Sequence, residues 1–448
     1  MNARFATAVF WTFCFVLFSK IGWYDLRVYM DPDQRREFMR LAFAVWVLAQ
    51  GAVWLPVARP MLRQFNWLAA LWFLLISPYF IIGIINGNFG IDMIADAVRY
   101  ALPVGYLLFG LLMFRTLPIR TILTAIISSL AVWVVLRTVI HLLIANRIMR
   151  YGIQWEVFLP ALLIPLTLYC RRRQLGALAA ALLAVVAIFS LGLTRSVVAG
   201  TILAAGICGL FALAGIFRHT PRSITLGAIS AFVIIIALIP MVVSMPGFGR
   251  LDASAVFEDE ALPSTPDYEY GTASDTGVGG EDPSTFTDAT EAHSRWEAAI
   301  ASNAAGLGTR LAEAEYFLAL TNSSWQSALF GIGAGTRQTV TTPSGVERIV
   351  RAPHITYVMI IYRHGYVLGL AIILLLAFYG IPHHIRSALR PSDPETRVFF
   401  IGLLAYRGAL IGMAVLHQGL IDDPMVFIGL AAASALPTLQ SDKSARKR

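Results

Sequence analysis

The chain has 448 residues, of which 57% are hydrophobic and 14% charged, and its mean hydropathy is +0.67. That profile lies outside the soluble globular range. A formal net charge of +8 would point to nucleic acid in a soluble protein, but here basic residues crowd alternate short loops, so no nucleic-acid partner is expected.

Apolar runs of about 17–25 residues, the length that crosses a ~30 Å hydrocarbon core, recur along the sequence. Twelve are predicted, near 5–22, 41–57, 66–85, 99–114, 121–144, 155–170, 175–193, 196–216, 223–244, 360–380, 397–416 and 420–437. The first follows Met1-Asn2-Ala3-Arg4 without a small-residue cleavage site and reads as an uncleaved helix. Arg59 and Arg63, Arg115 and Arg120, Arg171 to Arg173, Arg218 and Arg222, and Arg386 and Arg390 fall in alternate loops. Together with the tail Lys443 to Arg448, they belong on the cytoplasmic side of a bacterial inner membrane. Both termini are then cytoplasmic and the one long polar segment is periplasmic. The expected fold is all-α, a polytopic membrane helix bundle with one large external loop between spans 9 and 10. It divides into 1–245 (spans 1–9), 246–353 (the external loop), 354–440 (spans 10–12) and a basic tail, 441–448. Cys14, Cys170 and Cys208 lie in or at the ends of spans and imply no disulfide framework.

The polar segment has two parts. Residues 250–292 are rich in Gly, Ser, Thr, Asp and Glu, with few large apolar side chains. Such a stretch buries no core and reads as a flexible acidic loop, and its carboxylates have no defensible metal-ligand spacing. Residues 293–353 read as helical, carrying helix formers with apolar residues at three- and four-residue spacing. Trp325 to Phe330 followed by Gly331-Ile-Gly333-Ala-Gly335 predicts a helix stop and a turn. A phosphate-binding glycine loop would need a preceding strand and a following Lys-Ser/Thr.

Arginines on the external side break the membrane's usual charge rule. Arg137 and His141 sit one helical turn apart near the end of span five, followed by Arg147 and Arg150. Arg195 occupies the tight turn between spans seven and eight, Arg310 the external helix, and Arg351 precedes His354. Guanidinium groups hold phosphate in a bidentate fork, so an anionic lipid phosphate or pyrophosphate is the expected ligand of the set. The plainer alternative is ion pairing with Asp92, Asp96, Glu156 and the acidic loop. If 354–365 is helical, eleven steps of about 100° bring Gly365 beneath His354, leaving a groove under an imidazole suited to general-base work. Arg363 falls on the opposite face and is left out of that site. Asp25, in the first external loop, is a weaker, metal-dependent alternative. Arg407, with Asp422 or Asp423 as partner, is the feature a transporter reading would use.

Three features in order resemble the O-antigen ligase and polymerase superfamily of bacterial membrane glycosyltransferases. They are Leu191-Gly-Leu-Thr-Arg195-Ser196 opening a span, Trp325 to Gly335 in the external loop, and His354 eleven residues before Gly365. The likeness runs over about 145–370, and the twelve-span layout, similar to GT-C transferases, over the whole chain. It implies transfer of a glycan from undecaprenyl pyrophosphate to an acceptor hydroxyl at the periplasmic face, by inversion, without metal or other cofactor. His354 would be the catalytic base, with Arg195, Arg310 and Arg150 (Arg147 in reserve) on the pyrophosphate. Family ligases carry Asn, Ser or Gln after the histidine, where Ile355 stands here. The resemblance therefore leans to a polymerase of exopolysaccharide or O-antigen repeat units, with ligation onto lipid A–core next and a flippase third. The expected partners are the lipid-linked donor, a glycan or lipid-linked acceptor, membrane lipids and a chain-length regulator.

Overall fold

The computed structural model describes residues 1–20, 32–145, 207, 289–301, 307–341, 347–350, 353, 355–389, 394–414, 421 and 423–445. Before the polar segment come α1 (Ala3–Phe18), α2 (Pro32–Trp54), α3 (Ala58–Leu62), α4 (Trp67–Ile85), α5 (Ile91–Thr116) and α6 (Ile119–Ala145). Next are α7 (Ala289–Ala301), α8 (Leu307–Asn322), α9 (Trp325–Phe330), and the strands β1 (Gln338–Thr341) and β2 (Glu347–Val350). The chain ends with α10 (Thr356–Phe378), α11 (Ile381–Leu389), α12 (Pro394–Met413) and α13 (Pro424–Ala445).

Among the described residues, four helical stretches are long and apolar enough to cross a membrane: Glu37–Leu62, Trp67–Ile85, Ile91–Thr116 and Thr356–Leu389. Shorter apolar helices cover Ala3–Phe18, Ile119–Trp133 and Pro424–Ala435. The chain is a helical membrane protein. Apart from Ile207, the spans expected at 155–170, 175–193, 196–216 and 223–244 lie outside the described residues, as does 250–288 of the acidic segment.

Local chemistry fixes where these helices begin. Asn2 and Asn66 cap α1 and α4, accepting from the N–H groups of Arg4 at 3.0 Å and Ala69 at 3.1 Å. Asp423 accepts from Met425 N at 2.7 Å and Val426 N at 3.1 Å, so it caps α13 just before Pro424. The bundle packs through close contacts more than through hydrophobic expulsion, because lipid is as apolar as the core. Gly105 of α5 leaves room for the Trp54 ring, and Gly110 lets α5 lie against Ala431 of α13. The Phe13 ring lies tilted against that of Phe109, with centroids 4.4 Å apart, joining α1 to the same core.

Two ends of the bundle differ in character. At one, Arg115 donates to Gln64, and Arg120 lies 3.8 Å from Glu395 at the start of α12. At the other, the ends of α4, α5 and α10 meet the polar segment. There α7 and α8 form a folded layer on α10: Trp296 stacks on Tyr316 at 5.2 Å, and Phe317 meets Tyr362 edge-on at 4.7 Å. Such aromatic pairs contribute about 0.5–1.5 kcal/mol each beyond buried area.

Among the described residues, the helical expectation for 293–353 holds in Ala289–Ala301, Leu307–Asn322 and Trp325–Phe330 and then fails. Gln338–Thr341 and Glu347–Val350 pair antiparallel, Gln338 opposite Val350 and Thr341 opposite Glu347. Their β-branched residues, with Pro343-Ser344-Gly345 between them in sequence, favour a hairpin over a helix. Gln338 ties the hairpin down by accepting from Tyr316 Oη at 3.1 Å and donating to Tyr362 Oη at 3.0 Å. Burial pushes the Tyr316 phenol up, with Glu297 adding to the rise, so it remains a donor at neutral pH.

Candidate functional site

The turn after α9 is the keystone of the polar end. Ser324 caps α9, accepting from Ser327 N at 3.1 Å, and the helix stops at Gly331 as the sequence predicts. Gly331 has φ +83°, and a side chain there would strike the backbone of Arg363 and His364. Across the contact, Gly365 has φ +73° and faces the backbone of Leu329 and Phe330. L-residues rarely adopt that conformation, and neither position has room for a Cβ. Two glycines thus let a turn and a membrane helix touch backbone to backbone. Ile332 N donates to the Tyr362 carbonyl at 3.0 Å, and Ala334 N to the Tyr79 carbonyl at 2.9 Å.

This docking assembles a buried polar cluster from three membrane helices. Asp96 of α5 accepts from Tyr79 Oη at 2.6 Å, from Gly335 N at 3.1 Å and from Arg363 Nη1 at 3.4 Å. The Arg363 guanidinium lies over the Tyr79 ring, 5.9 Å from its centroid. Next to it, His364 Nε2 and Tyr100 Oη are hydrogen-bonded at 2.8 Å, and Trp72 Nε1 donates to the Tyr100 carbonyl at 3.0 Å. Arg337, just past the turn, pairs with Asp92. A charge in a bundle is tolerated when paired and hydrogen-bonded, and Asp96 satisfies both conditions.

The predicted site residues fare unevenly. His354, Arg195, Arg150 and Arg147 lie outside the described residues, as do Asp25 and Asp422. Arg310 sits in the first turn of α8, half-buried, on the layer that packs against α10. The residues flanking His354, Pro353 and Ile355, are both buried, and Thr356 N donates to the Ala414 carbonyl at 3.1 Å.

Two readings change. The helix starts at Thr356, after His354, and Gly365 interrupts it with φ +73° and ψ 175°. The eleven-step rotation that put Gly365 beneath His354 therefore does not apply. Asp92 and Asp96, named as the plainer alternative partners of external arginines, pair with Arg337 of the polar segment and with Arg363 of α10. Asp92, Asp96 and Tyr100 recur every four residues on one face of α5, a signal that marked the face but not its partner. Arg407 donates from Nε to the Leu376 carbonyl at 2.8 Å and from Nη1 to the Tyr379 carbonyl at 2.5 Å, while Asp423 accepts from Tyr406. Among the described residues, no three His, Cys, Asp or Glu side chains gather as a metal site.

Fold and cluster together define a helical membrane protein with a folded polar layer clamped on one end. Comparison of the chain with protein-family models, with curated proteins and with solved structures returned no match.

Proposed function

We propose that the chain is a membrane glycosyltransferase that polymerises undecaprenyl-pyrophosphate-linked repeat units of an exopolysaccharide or O-antigen at the periplasmic face. One observation carries this reading: the layer bearing Arg310 is seated on the N-terminal half of α10, the helix that His354 immediately precedes. Arg310 and the start of α10 thus belong to one docked unit, which supports assigning an anion-binding guanidinium and, from the sequence, a general base to the same end of the bundle.

In the proposed reaction His354 takes the proton of the acceptor hydroxyl as its oxygen attacks the anomeric carbon. The bond from that carbon to the pyrophosphate oxygen breaks, its electron pair leaves with undecaprenyl pyrophosphate, and the configuration inverts. Arg195, Arg310 and Arg150, with Arg147 in reserve, neutralise the charge growing on the leaving group, a preorganised electrostatic contribution. A positioned base adds roughly 10²–10⁴-fold. The buried Asp96–Arg363 cluster takes no chemical part and holds the layer in place.

The test is product length and rate with the full chain in liposomes supplied with a lipid-pyrophosphate-linked oligosaccharide. His354→Ala should lower turnover by about 10²-fold or more while the unfolding midpoint holds. Arg310→Ala should slow the bond-breaking step in the same way. Full activity in both variants overturns the reading. Loss on chelation together with loss in Asp25→Asn would move the chemistry to the aspartate.

A further inference from the structure

We propose that α9 is an interfacial anchor, lying in the headgroup region of the bilayer with the side chains of Trp325, Leu329 and Phe330 in lipid. The helix is part of the polar segment, yet Trp325 is 67% exposed, Leu329 39% and Phe330 41%. Isolated apolar residues on a surface need no explanation. These three do, because of what they adjoin.

On α10 the pattern of exposure changes at one residue. Tyr362, Arg363, His364 and Gly365 are buried, whereas Tyr366, Val367 and Leu370 are exposed, Val367 by 61%. Positions 366, 367 and 370 share one helical face within the apolar stretch Thr356–Leu389, so they form the start of a lipid-facing stripe. The backbone of Leu329 and Phe330 rests on Gly365, one residue from where that stripe begins. The apolar surface of α9 is therefore continuous with the lipid-facing surface of a membrane helix.

The residues around α9 fit the boundary. Asn322, Ser323, Ser324 and Gln326 are exposed polar residues, while Ser327 turns inward and bonds Ser324. Tryptophan is the side chain most favoured at headgroup level, where its ring sits in the apolar boundary and its N–H in the wet one. A single bilayer surface would cover α9 and the α10 stripe together, as it covers any exposed apolar face of a membrane span.

The experiment places an environment-sensitive fluorophore at Leu329→Cys and, separately, at Ser323→Cys. It uses full-length protein with Cys14, Cys170 and Cys208 replaced by alanine, in phosphatidylcholine–phosphatidylglycerol vesicles. The Leu329 label should emit further to the blue. It should be quenched more by acyl chains carrying a quencher near the headgroup than by ones carrying it near the chain end, and little by aqueous iodide. The Ser323 label should respond mainly to iodide. Equal iodide quenching at both positions overturns the proposal, and so does shielding of Leu329 from both quenchers, which would signal a protein cover. Should the cysteine-free background fail to fold, Trp325→Phe in the native chain serves instead. That variant should lose part of the tryptophan emission quenched by brominated lipid, and no loss overturns the proposal.

Discussion

Asp96 joins three segments that are far apart in sequence: α4 through Tyr79, the glycine turn through Gly335, and α10 through Arg363. Arg363 is 4% exposed, so deleting its charge leaves a carboxylate with one fewer donor in a nearly dry site. Breaking one side of a buried pair costs about 3–5 kcal/mol, and the long 3.4 Å contact sets the expectation for Arg363→Met at the lower end. Asp96→Asn keeps an amide oxygen for Tyr79 and Gly335 but leaves the buried Arg363 guanidinium without its counter-charge, so it should cost about as much. The double variant should fall short of the sum by roughly 0.5–3 kcal/mol, read from unfolding midpoints in detergent as a double-mutant cycle. Additive losses would mean the two groups are not coupled. Arg295 is the contrast: its contacts to Glu291 and Glu315 are solvent-exposed, and Arg295→Ala should change stability by about 0–1 kcal/mol. Half of this cluster was legible in the sequence, since residues spaced by four on α5 must share a face. The partner was not, because Arg363 lies 267 residues away and only the fold brings it near.

At the scale of elements, the turn and α10 meet through Gly331 and Gly365, and alanine at either should be costly. Each combines a positive φ, about 1–2 kcal/mol for an L-residue, with a Cβ driven into facing backbone. Gly331→Ala and Gly365→Ala should each lower the unfolding midpoint and open the β1–β2 hairpin to protease before the membrane helices are cut. Gly51, inside α2 with nothing within 4 Å of its Cβ site, should tolerate alanine with unchanged or raised stability. Equal losses at all three positions would refute the backbone-contact account. Helices were read well where one signal dominates: hydropathy marked α4 and α10, and the glycine run marked the end of α9. The break at Gly365 was missed because a single glycine inside a helical pattern is tolerated, so Tyr362-Arg363-His364-Gly365 reads as part of one continuous helix. The hairpin was missed because four-residue strands carry too little periodicity to outweigh a helical neighbourhood.

For the whole molecule, charge and polarity sort the bundle by end. Arg115 and Arg120 reach Gln64 and Glu395 at one end, beside the loop of Arg59 and Arg63, while the layer of α7 to α9 sits at the other. Charge bias in the sequence predicts which loops share a side, and these two contacts bring together Gln64, Arg115, Arg120 and Glu395 from loops assigned to one side. Lysine and arginine near helix ends set orientation by staying cytoplasmic, so the layer should face the periplasm. Fusions of alkaline phosphatase and of a fluorescent protein at successive truncation points test this, since the first is active only when exported and the second fluoresces only inside. Fusions after Asn88 and after Phe330 should give phosphatase activity, and fusions after Gln64, Thr116 and Leu389 should fluoresce. Parity constrains the outcome as much as sign: Asn88 and Thr336 are hydrogen-bonded at 3.1 Å, so those two loops must report the same side whatever that side is. A phosphatase signal at Gln64 and fluorescence at Phe330 would invert the molecule. That inversion would put His354 and Arg310 on the cytoplasmic face, away from a periplasmic donor, and the proposed polymerase chemistry would fall with it.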